Sequence, residues 1–159
     1  MPNHNKAIKA EMETLQLGII GMGDMGKLYA KKLSAAGWKN VNVCDIPTKY
    51  DSLRQEFEGT GITVMKDGHF VSRKTTKLGA IVGGQTSVKA PEIAAFEKHL
   101  PEDVHIITCH SMHGPTVSSR GQPLVIINHR GTPEKLGIVE RILSCFESEI
   151  AYLAYEEHD

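Results

Sequence analysis

A glycine-rich hexapeptide, GMGDMG at residues 21–26, constrains this sequence more than any other feature. It follows a short apolar run at residues 17–21 (LGIIG) and precedes apolar residues that recur at helical spacing. The run is typical of a fully buried strand, so the predicted order is strand, tight turn and helix. In this context the first glycine permits the turn, the second lets a ligand approach the backbone, and the third lets helix and strand pack closely.

This arrangement predicts dinucleotide binding, with the pyrophosphate at the N-terminus of the helix. The alternative is a glycine turn that binds no ligand. The predicted cofactor-binding residues of the loop are Gly21, Met22, Gly23, Asp24, Met25 and Gly26.

Two further residues bear on the choice of cofactor. Asp45 lies 19 positions past Gly26, at the end of the next predicted strand, where a carboxylate normally binds a ribose 2′-hydroxyl and favours NAD. Thr48 and Lys49 could bind a 2′-phosphate instead. Asp45 and Lys49 are therefore added to the predicted cofactor site, and the choice between NAD and NADP stays open at this point.

Strand and helix patterns alternate along the chain, which predicts an α/β fold with a doubly wound, mainly parallel Rossmann-type sheet. Helices are predicted to end at Gly37 and Gly59, to open near Pro91, and to be capped by Thr132. Residues 68–73 could hold one helical turn. The predicted strands are residues 17–21, 41–45, 62–65, 78–83, 104–109, 124–128 and 150–154.

Composition narrows the classes of partner and compartment. With a net charge of −1 the chain has no excess of positive charge that would attract nucleic acid or anionic lipid. No apolar run approaches the ~20 residues of a membrane span. Cys44, Cys109 and Cys145 form no CxxC pair, so thiols in a reducing compartment are expected. Residues 1–15 are predicted to be a frayed polar leader rather than a targeting signal, which indicates a cytoplasmic protein.

A histidine segment, CHSMHGP at residues 109–115, follows a predicted buried strand, so its side chains should lie at the carboxyl edge of the sheet, where ligands bind. A neutral His110 there could take a proton from a substrate hydroxyl while a hydride leaves. The alternatives are an ordinary loop role for His110 and a metal site formed with His113. His113 itself is expected to be a surface histidine, and we predict no metal site.

A second polar loop, GGQTSVK at residues 83–89, follows the predicted strand at residues 78–83 and should reach the same edge. Ser87 could orient the imidazole of His110. The alternative is that Thr86 or Ser87 caps the helix that follows.

Taken together, the motifs GMGDMG, GGQTSVKAPE, CHSMHGP, GQPLVIINHR and YEEHD, in this order and at nearly these spacings, resemble the fungal prephenate dehydrogenases of tyrosine biosynthesis. The resemblance extends over almost the whole chain from Leu17 onward. It implies oxidative decarboxylation of prephenate to 4-hydroxyphenylpyruvate with NADP, with NAD as the possible substitute. It also implies that His110 is the catalytic histidine, that Ser87 positions it, and that the glycine loop binds the pyrophosphate.

The chain departs from the family pattern at three places. Ile46 stands where the family usually has an Arg suited to a 2′-phosphate. Between Lys74 and Thr75 a central strand and its helix are missing. The chain also stops at Asp159, where the family enters an all-helical dimerisation domain. The resemblance therefore implies a dinucleotide-binding domain over residues 16–155 and the start of the absent domain at residues 156–159.

Three expectations follow from these departures. The chain alone should have little or no activity, and the homodimer of the full-length family is doubtful for it. Residues 78–82 should move into the empty central slot of the sheet and pair with residues 17–21, because an unfilled slot would cost much of a net stability of ~5–15 kcal/mol.

Two other functional classes stay open. One is a non-catalytic nucleotide-binding fragment. The other is a β-hydroxyacid-type dehydrogenase, because the segment GMGDMGKLYAKKLSAAGW of this chain resembles the opening segment of that group. The substrate motif and the catalytic lysine of that group are not recognisable in this chain.

Overall fold

The chain divides into two compact units, Met1–Phe70 and Val71–Asp159. The computed structural model describes residues 2–67 and 77–159. The predicted helical turn at residues 68–73, and the point between Lys74 and Thr75, lie outside the described residues. A single domain over residues 16–155 stays a prediction. Within the described ranges no helix combines the length and the apolar character needed to cross a membrane.

The first unit contains a three-stranded parallel sheet of order β1-β2-β3. The polar leader is helical rather than frayed, and its last turn is tied to the start of β2 because Lys39 N donates to Met12 O at 3.0 Å. The elements are α1 (Pro2–Thr14), β1 (Gln16–Ile20), α2 (Asp24–Ala35), β2 (Asn40–Cys44), α3 (Tyr50–Glu56) and β3 (Thr63–Val64).

The core of this unit lies between β2 and the helices. Val41 and Val43 on β2 are buried, as are Tyr29 and Leu33 on one face of α2. Each such side chain contributes about 1.5–3 kcal/mol through its burial. The helix ends where predicted, because Gly37 has φ +102°, a backbone conformation that glycine adopts without strain.

The second unit contains a four-stranded sheet of order β4-β5-β6-β7, in which β5 and β6 are antiparallel and the other pairs are parallel. The predicted α/β class with mainly parallel strands is confirmed. Thr132 caps its helix as predicted, accepting a hydrogen bond from Lys135 N at 3.3 Å. The elements are β4 (Ile81–Val82), α4 (Lys89–His99), β5 (His105–Ser111), β6 (Pro123–Arg130), α5 (Pro133–Leu143), β7 (Glu149–Tyr152) and α6 (Tyr155–His158).

The prediction that residues 78–82 pair with β1 is wrong. In the described ranges β4 pairs with β5, and β1 pairs with β2. The segment is too short to fill a central slot, because Leu78 and Gly79 lie in a turn and only Ile81 and Val82 enter the ladder.

The strand β1 itself differs from its prediction for a related reason. It lies at the edge of its sheet, and its residues alternate between exposed and half-buried rather than being fully buried. Ile20, at its end, is 56% exposed. The apolar run at residues 17–21 therefore predicted a strand correctly and its burial wrongly.

Candidate functional site

The glycine loop joins β1 to α2, and two of its glycines are required by the backbone itself. Gly21 has φ +89°, which L-residues with a side chain rarely adopt. A Cβ on Gly26 would lie 2.0 Å from Gly21 O, so helix and loop can approach only with glycine there. A Cβ on Gly23, by contrast, would meet no atom within 4 Å. The face of the loop at Gly23 is therefore open to a ligand.

The start of α2 suits an anion. Gly23 is its N-cap residue, and no side chain caps the helix. The N–H groups of a first helical turn have no intrahelical acceptors, and the helix dipole adds partial positive charge there. These residues fit the pyrophosphate of a dinucleotide, which would lie against backbone N–H groups beside the open face at Gly23.

Asp45 follows β2 directly and fastens it to the glycine loop. Its Oδ2 accepts a hydrogen bond from Met22 N at 2.7 Å, and its Oδ1 accepts one from Ile46 N at 2.7 Å. Lys49 Nζ donates to Oδ2 at 3.1 Å. The hydrogen bonds from Ile46, Met22 and Lys49 hold the pKa of Asp45 below its usual value, so the group is a carboxylate at neutral pH.

The structure thus brings Met22, Asp45 and Lys49 together at the loop. The remaining predicted residues, Gly21, Gly23, Asp24, Met25 and Gly26, lie on the same turn or on the first turn of α2. Their role in cofactor binding stays a prediction.

In the second unit, His110 lies near the end of β5 and is half-buried. Its Nδ1 is 3.0 Å from Nε2 of His158 on α6, and the two rings are tilted at 60°. His158 Nδ1 is in turn 3.0 Å from Asp159 Oδ1. Three side chains therefore form a continuous hydrogen-bonded row.

Asp159 ends this row by capping α4. Its two carboxylate oxygens accept hydrogen bonds from Lys89 N and Ala90 N, both at 2.7 Å. These bonds, together with that from His158, lower the pKa of Asp159 to about 2. The alternative that Thr86 or Ser87 caps α4 is wrong, since neither side chain accepts a hydrogen bond from the first turn of the helix. The capping carboxylate is that of Asp159, which directly follows α6.

Ser87 lies exposed on the loop before α4. Among the described residues, the partner of His110 Nδ1 is His158 and not Ser87. The proposed positioning role of Ser87 stays a prediction.

A buried ion pair lies beneath the same loop. The side chain of Lys89 is fully buried, and its Nζ donates to Glu92 Oε1 at 3.1 Å, Thr108 Oγ1 at 2.9 Å and Cys109 O at 2.8 Å. Glu92 also accepts hydrogen bonds from the hydroxyls of Thr108 and Thr86. Every donor on the ammonium has an acceptor, which is the condition under which a buried charge is tolerated.

The two glycines of the GGQTSVK loop allow this packing. A Cβ on Gly83 would lie 2.1 Å from Ile107 O, and one on Gly84 would lie 2.0 Å from Glu92 Oε2. The loop therefore presses its backbone directly against β5 and the buried carboxylate.

Burial lowers the pKa of His110 below its usual value of 6.5. Repulsion from His158, whenever that ring carries a proton, and from the Lys89 ammonium lowers the pKa of His110 further, whereas Glu92 opposes the shift. The imidazole is therefore neutral at neutral pH and can accept a proton.

His113 departs from the expected surface position. It is half-buried, its Nδ1 lies 3.0 Å from Gly114 O, and its Nε2 is enclosed without a hydrogen-bond partner among the described residues. Across residues 2–67 and 77–159 no group of three or more His, Cys, Asp or Glu side chains is arranged to hold a metal ion.

Comparison with known proteins identifies relatives that match most of the length of this chain. No family model matches the chain. The chain is 54% identical over 169 positions to "Probable prephenate dehydrogenase [NADP(+)]" of Schizosaccharomyces pombe, covering 92% of this chain and 39% of that protein. It is 47% identical to "Prephenate dehydrogenase [NADP(+)]" of Saccharomyces cerevisiae, covering 92% of this chain and 37% of that protein. The chain is a homologue of these yeast prephenate dehydrogenases.

A solved prephenate dehydrogenase has the same fold. The Aquifex aeolicus enzyme, in complex with hydroxyphenyl propionate and NAD+, aligns with a TM-score of 0.60 at 16% identity, covering 91% of this chain and 62% of that chain. The predicted resemblance to prephenate dehydrogenases is confirmed.

The match to prephenate dehydrogenase is partial in two respects. The chain spans less than two-fifths of the length of the two yeast relatives. The matched region also extends over 169 positions, although the chain has 159 residues, so the relatives contain residues within this region that the chain lacks. An internal deletion was predicted from the departures from the family pattern, and its place between the third and fourth strands stays a prediction.

Five residues of the second unit were missed by sequence reasoning. Their local patterns are those of an ordinary amphipathic helix and a buried strand, and only the quoted GGQTSVKAPE and YEEHD motifs contained a signal. The missed residues are Lys89, Glu92, Thr108, His158 and Asp159.

Proposed function

We propose that this chain supplies the dinucleotide-binding and proton-accepting parts of an NADP-dependent prephenate dehydrogenase of tyrosine biosynthesis, with prephenate as the small-molecule substrate. The observation that carries the proposal is a half-buried, neutral His110 at the end of β5, in a chain 54% identical to a yeast protein of that name. A non-catalytic nucleotide-binding fragment is the alternative, and the chimera experiment described below would favour it if His110→Asn kept full activity.

The chemistry assigns a task to His110. When bound, NADP supplies the acceptor for a hydride leaving the ring carbon that bears the hydroxyl. His110 accepts the hydroxyl proton as the C–O bond gains double-bond character. The ring carboxyl leaves as CO₂, its bonding electrons enter the ring, and return of the proton completes the phenol of 4-hydroxyphenylpyruvate. A base with a pKa near the working pH is suited to this reversible transfer.

The glycine loop has the second task, which is to bind the pyrophosphate. Gly23→Val should abolish cofactor binding, because the added side chain would occupy the open face of the loop. Calorimetry with NADP and with NAD measures this directly. Unchanged affinity in Gly23→Val would refute the assignment of the loop.

NADP is the cofactor that we favour, because both yeast relatives carry it in their names. The Asp45 carboxylate would repel a 2′-phosphate, but Lys49 is already 3.1 Å from it and could bind that phosphate. If the wild-type chain bound NAD more tightly than NADP, this preference would be wrong while dinucleotide binding would stand.

The role of His110 is best tested in a chimera in which this chain replaces the matched region of the Schizosaccharomyces pombe relative, and the relative's own residues are kept where this chain lacks them. We expect NADPH formation from prephenate, and a loss of about a hundredfold to ten-thousandfold in kcat for His110→Asn with NADP affinity intact. His99→Asn, at the exposed end of α4, is the matched control and should retain the rate. Full activity of the His110→Asn chimera would contradict the proposal.

We also propose a cytoplasmic location, because the three cysteines lack the spacing of a disulfide framework. Fractionation of cells that express the tagged chain would test this. Recovery in an organelle fraction would contradict it.

A further inference from the structure

The hydrogen-bonded row formed by His110, His158 and Asp159 has a definite direction. Asp159 is held at its far end by Lys89 N and Ala90 N, and its pKa of about 2 makes it a carboxylate that can only accept hydrogen bonds. The hydrogen between Asp159 Oδ1 and His158 Nδ1 therefore resides on the imidazole nitrogen.

The state of the second ring follows from the first. A neutral imidazole that carries its hydrogen on Nδ1 has a lone pair on Nε2. When His158 is uncharged, its Nε2 therefore accepts, and the hydrogen in its 3.0 Å contact with His110 resides on His110 Nδ1. His110 Nε2 keeps its lone pair, and among the described residues no hydrogen bond occupies that atom.

We propose that His158 and Asp159 are positioning residues that fix His110 as its Nδ1–H tautomer, so that Nε2 is the atom that receives the substrate proton. The fixed tautomer is inferred from the hydrogen bonds of the row, and the statement that Nε2 receives the substrate proton rests on the proposed function. A carboxylate that holds a histidine tautomer through Nδ1–H is an established catalytic device. Here a second imidazole is inserted between the carboxylate and the base.

The burial of His158 supports a fixed rather than a fluctuating tautomer. Its side chain is 6% exposed, so water competes little for its contact with His110. Both residues lie on or directly after the short helix α6, and Asp159 joins that helix to the first turn of α4.

The charges around His110 are compatible with this arrangement. The groups that face it are His158 from α6 and the Lys89–Glu92 pair from α4. When Nε2 takes up a proton, the imidazolium still donates through Nδ1 to His158, so the row need not rearrange. No proton has to move along it, and Asp159 stays ionised throughout.

The direct test is nitrogen NMR of the 159-residue chain labelled with ¹⁵N-histidine, at a pH above the titration of His110. We expect a pyrrole-type signal for His110 Nδ1 and a pyridine-type signal for Nε2. The opposite pattern in the wild-type chain would overturn the proposal without any variant having to fold.

Two replacements of His158 sharpen the test, because their amide groups reach different places. His158→Asn places its amide near the Nδ1 position, where it can contact Asp159 but not His110. His158→Gln places its amide near the Nε2 position and can accept from His110. We expect His110 to lose its single tautomer in the Asn variant and to regain it in the Gln variant. An unchanged His110 signal in His158→Asn would overturn the proposal.

The outcome is separable from that of the proposed function, because the NMR experiment needs neither cofactor nor prephenate. In the chimera, His158→Asn should lower kcat with little change in the KM for NADP, and His158→Gln should restore much of the rate. If His110→Asn abolished activity while both His158 variants kept full kcat, His110 would remain the assigned proton acceptor, and the positioning role of His158 would be refuted.

Discussion

The two candidate sites of this chain are built in different ways. In the first unit the glycine loop offers backbone N–H groups and an open face, and Asp45 is the main side chain that shapes it. In the second unit the site around His110 depends on side chains, with a buried Lys89–Glu92 pair below it and His158 beside it. The glycine loop depends on positions that lack a side chain, whereas the site around His110 depends on side chains that pair with one another.

This difference determines how each site responds to change. A site built from backbone groups is disrupted when a Cβ is added to one of its glycines. The added atom either collides with the neighbouring backbone, as at Gly26, or occupies the space of the ligand, as at Gly23. A site built from paired side chains fails when one partner is removed, because the other is left buried with an unsatisfied charge or hydrogen bond. The two kinds of substitution should therefore have different costs in the two units.

The largest loss of stability is expected from Lys89→Met. Removing the ammonium leaves Glu92 buried without its cation, and breaking one side of a buried ion pair costs about 3–5 kcal/mol. Urea unfolding followed by circular dichroism would measure the loss. Lys98→Met, on the exposed face of the same helix, is the matched control and should change stability by less than about 0.5 kcal/mol. Equal values for the two variants would show that the buried pair does not support the second unit.

A smaller loss is expected from Gly26→Ala in the first unit. The new Cβ would lie 2.0 Å from Gly21 O, and overpacking of this kind costs about 1–3 kcal/mol. The better helix propensity of alanine offsets about 1 kcal/mol of this. We therefore expect a net loss of up to about 2 kcal/mol in unfolding experiments, together with weaker cofactor binding.

Gly23→Ala separates stability from binding in the same loop. Its Cβ would meet nothing within 4 Å, so the cost is limited to about 1 kcal/mol or less from the poorer N-cap. If Gly23→Ala destabilised the protein more than Gly26→Ala, the account of which glycine serves the backbone and which serves the ligand would be reversed.

The same contrast explains what could be predicted from the sequence. The glycine loop, the stop at Gly37 and the Thr132 cap depend on residues within a few positions of one another, and local patterns revealed all three. The cap on α4 comes from Asp159, 70 residues from Lys89, and no local pattern contains that contact. His110 was found because its motif follows a strand, whereas its partner His158 is 48 residues away.

The error about the sheet has a similar origin. An apolar run indicates that residues 78–82 can form a strand, but it does not state which neighbour the strand will take. Only two of those residues enter a ladder, and they pair with β5. Turn residues Leu78 and Gly79 shorten the strand below the length of β1.

The smallest expected effect is on the pH dependence of stability, and it compares Glu92 with Asp45. Burial alone would raise the pKa of Glu92, but hydrogen bonds from Thr108, Thr86 and Lys89 outweigh it and hold the pKa below its usual value. Asp45 also has a lowered pKa, through hydrogen bonds from Ile46, Met22 and Lys49. Each carboxylate therefore binds protons less readily in the folded chain than in the unfolded chain.

The sign of the effect follows from linkage. The stabilisation from each group is complete above its unfolded pKa, about 4.3 for Glu and about 3.9 for Asp, and is lost as the pH falls through the folded pKa. Glu92→Gln and Asp45→Asn should each flatten the fall of unfolding free energy with decreasing pH in that acid range. We expect the greater flattening from Glu92→Gln, because Glu92 is paired with a fully buried ammonium whereas the partner of Asp45, Lys49, is half exposed. Urea unfolding at a series of pH values would measure both slopes. A greater flattening from Asp45→Asn would mean that the carboxylate of the glycine loop is the more strongly coupled to folding, and that the first unit depends on side-chain pairing as much as the second.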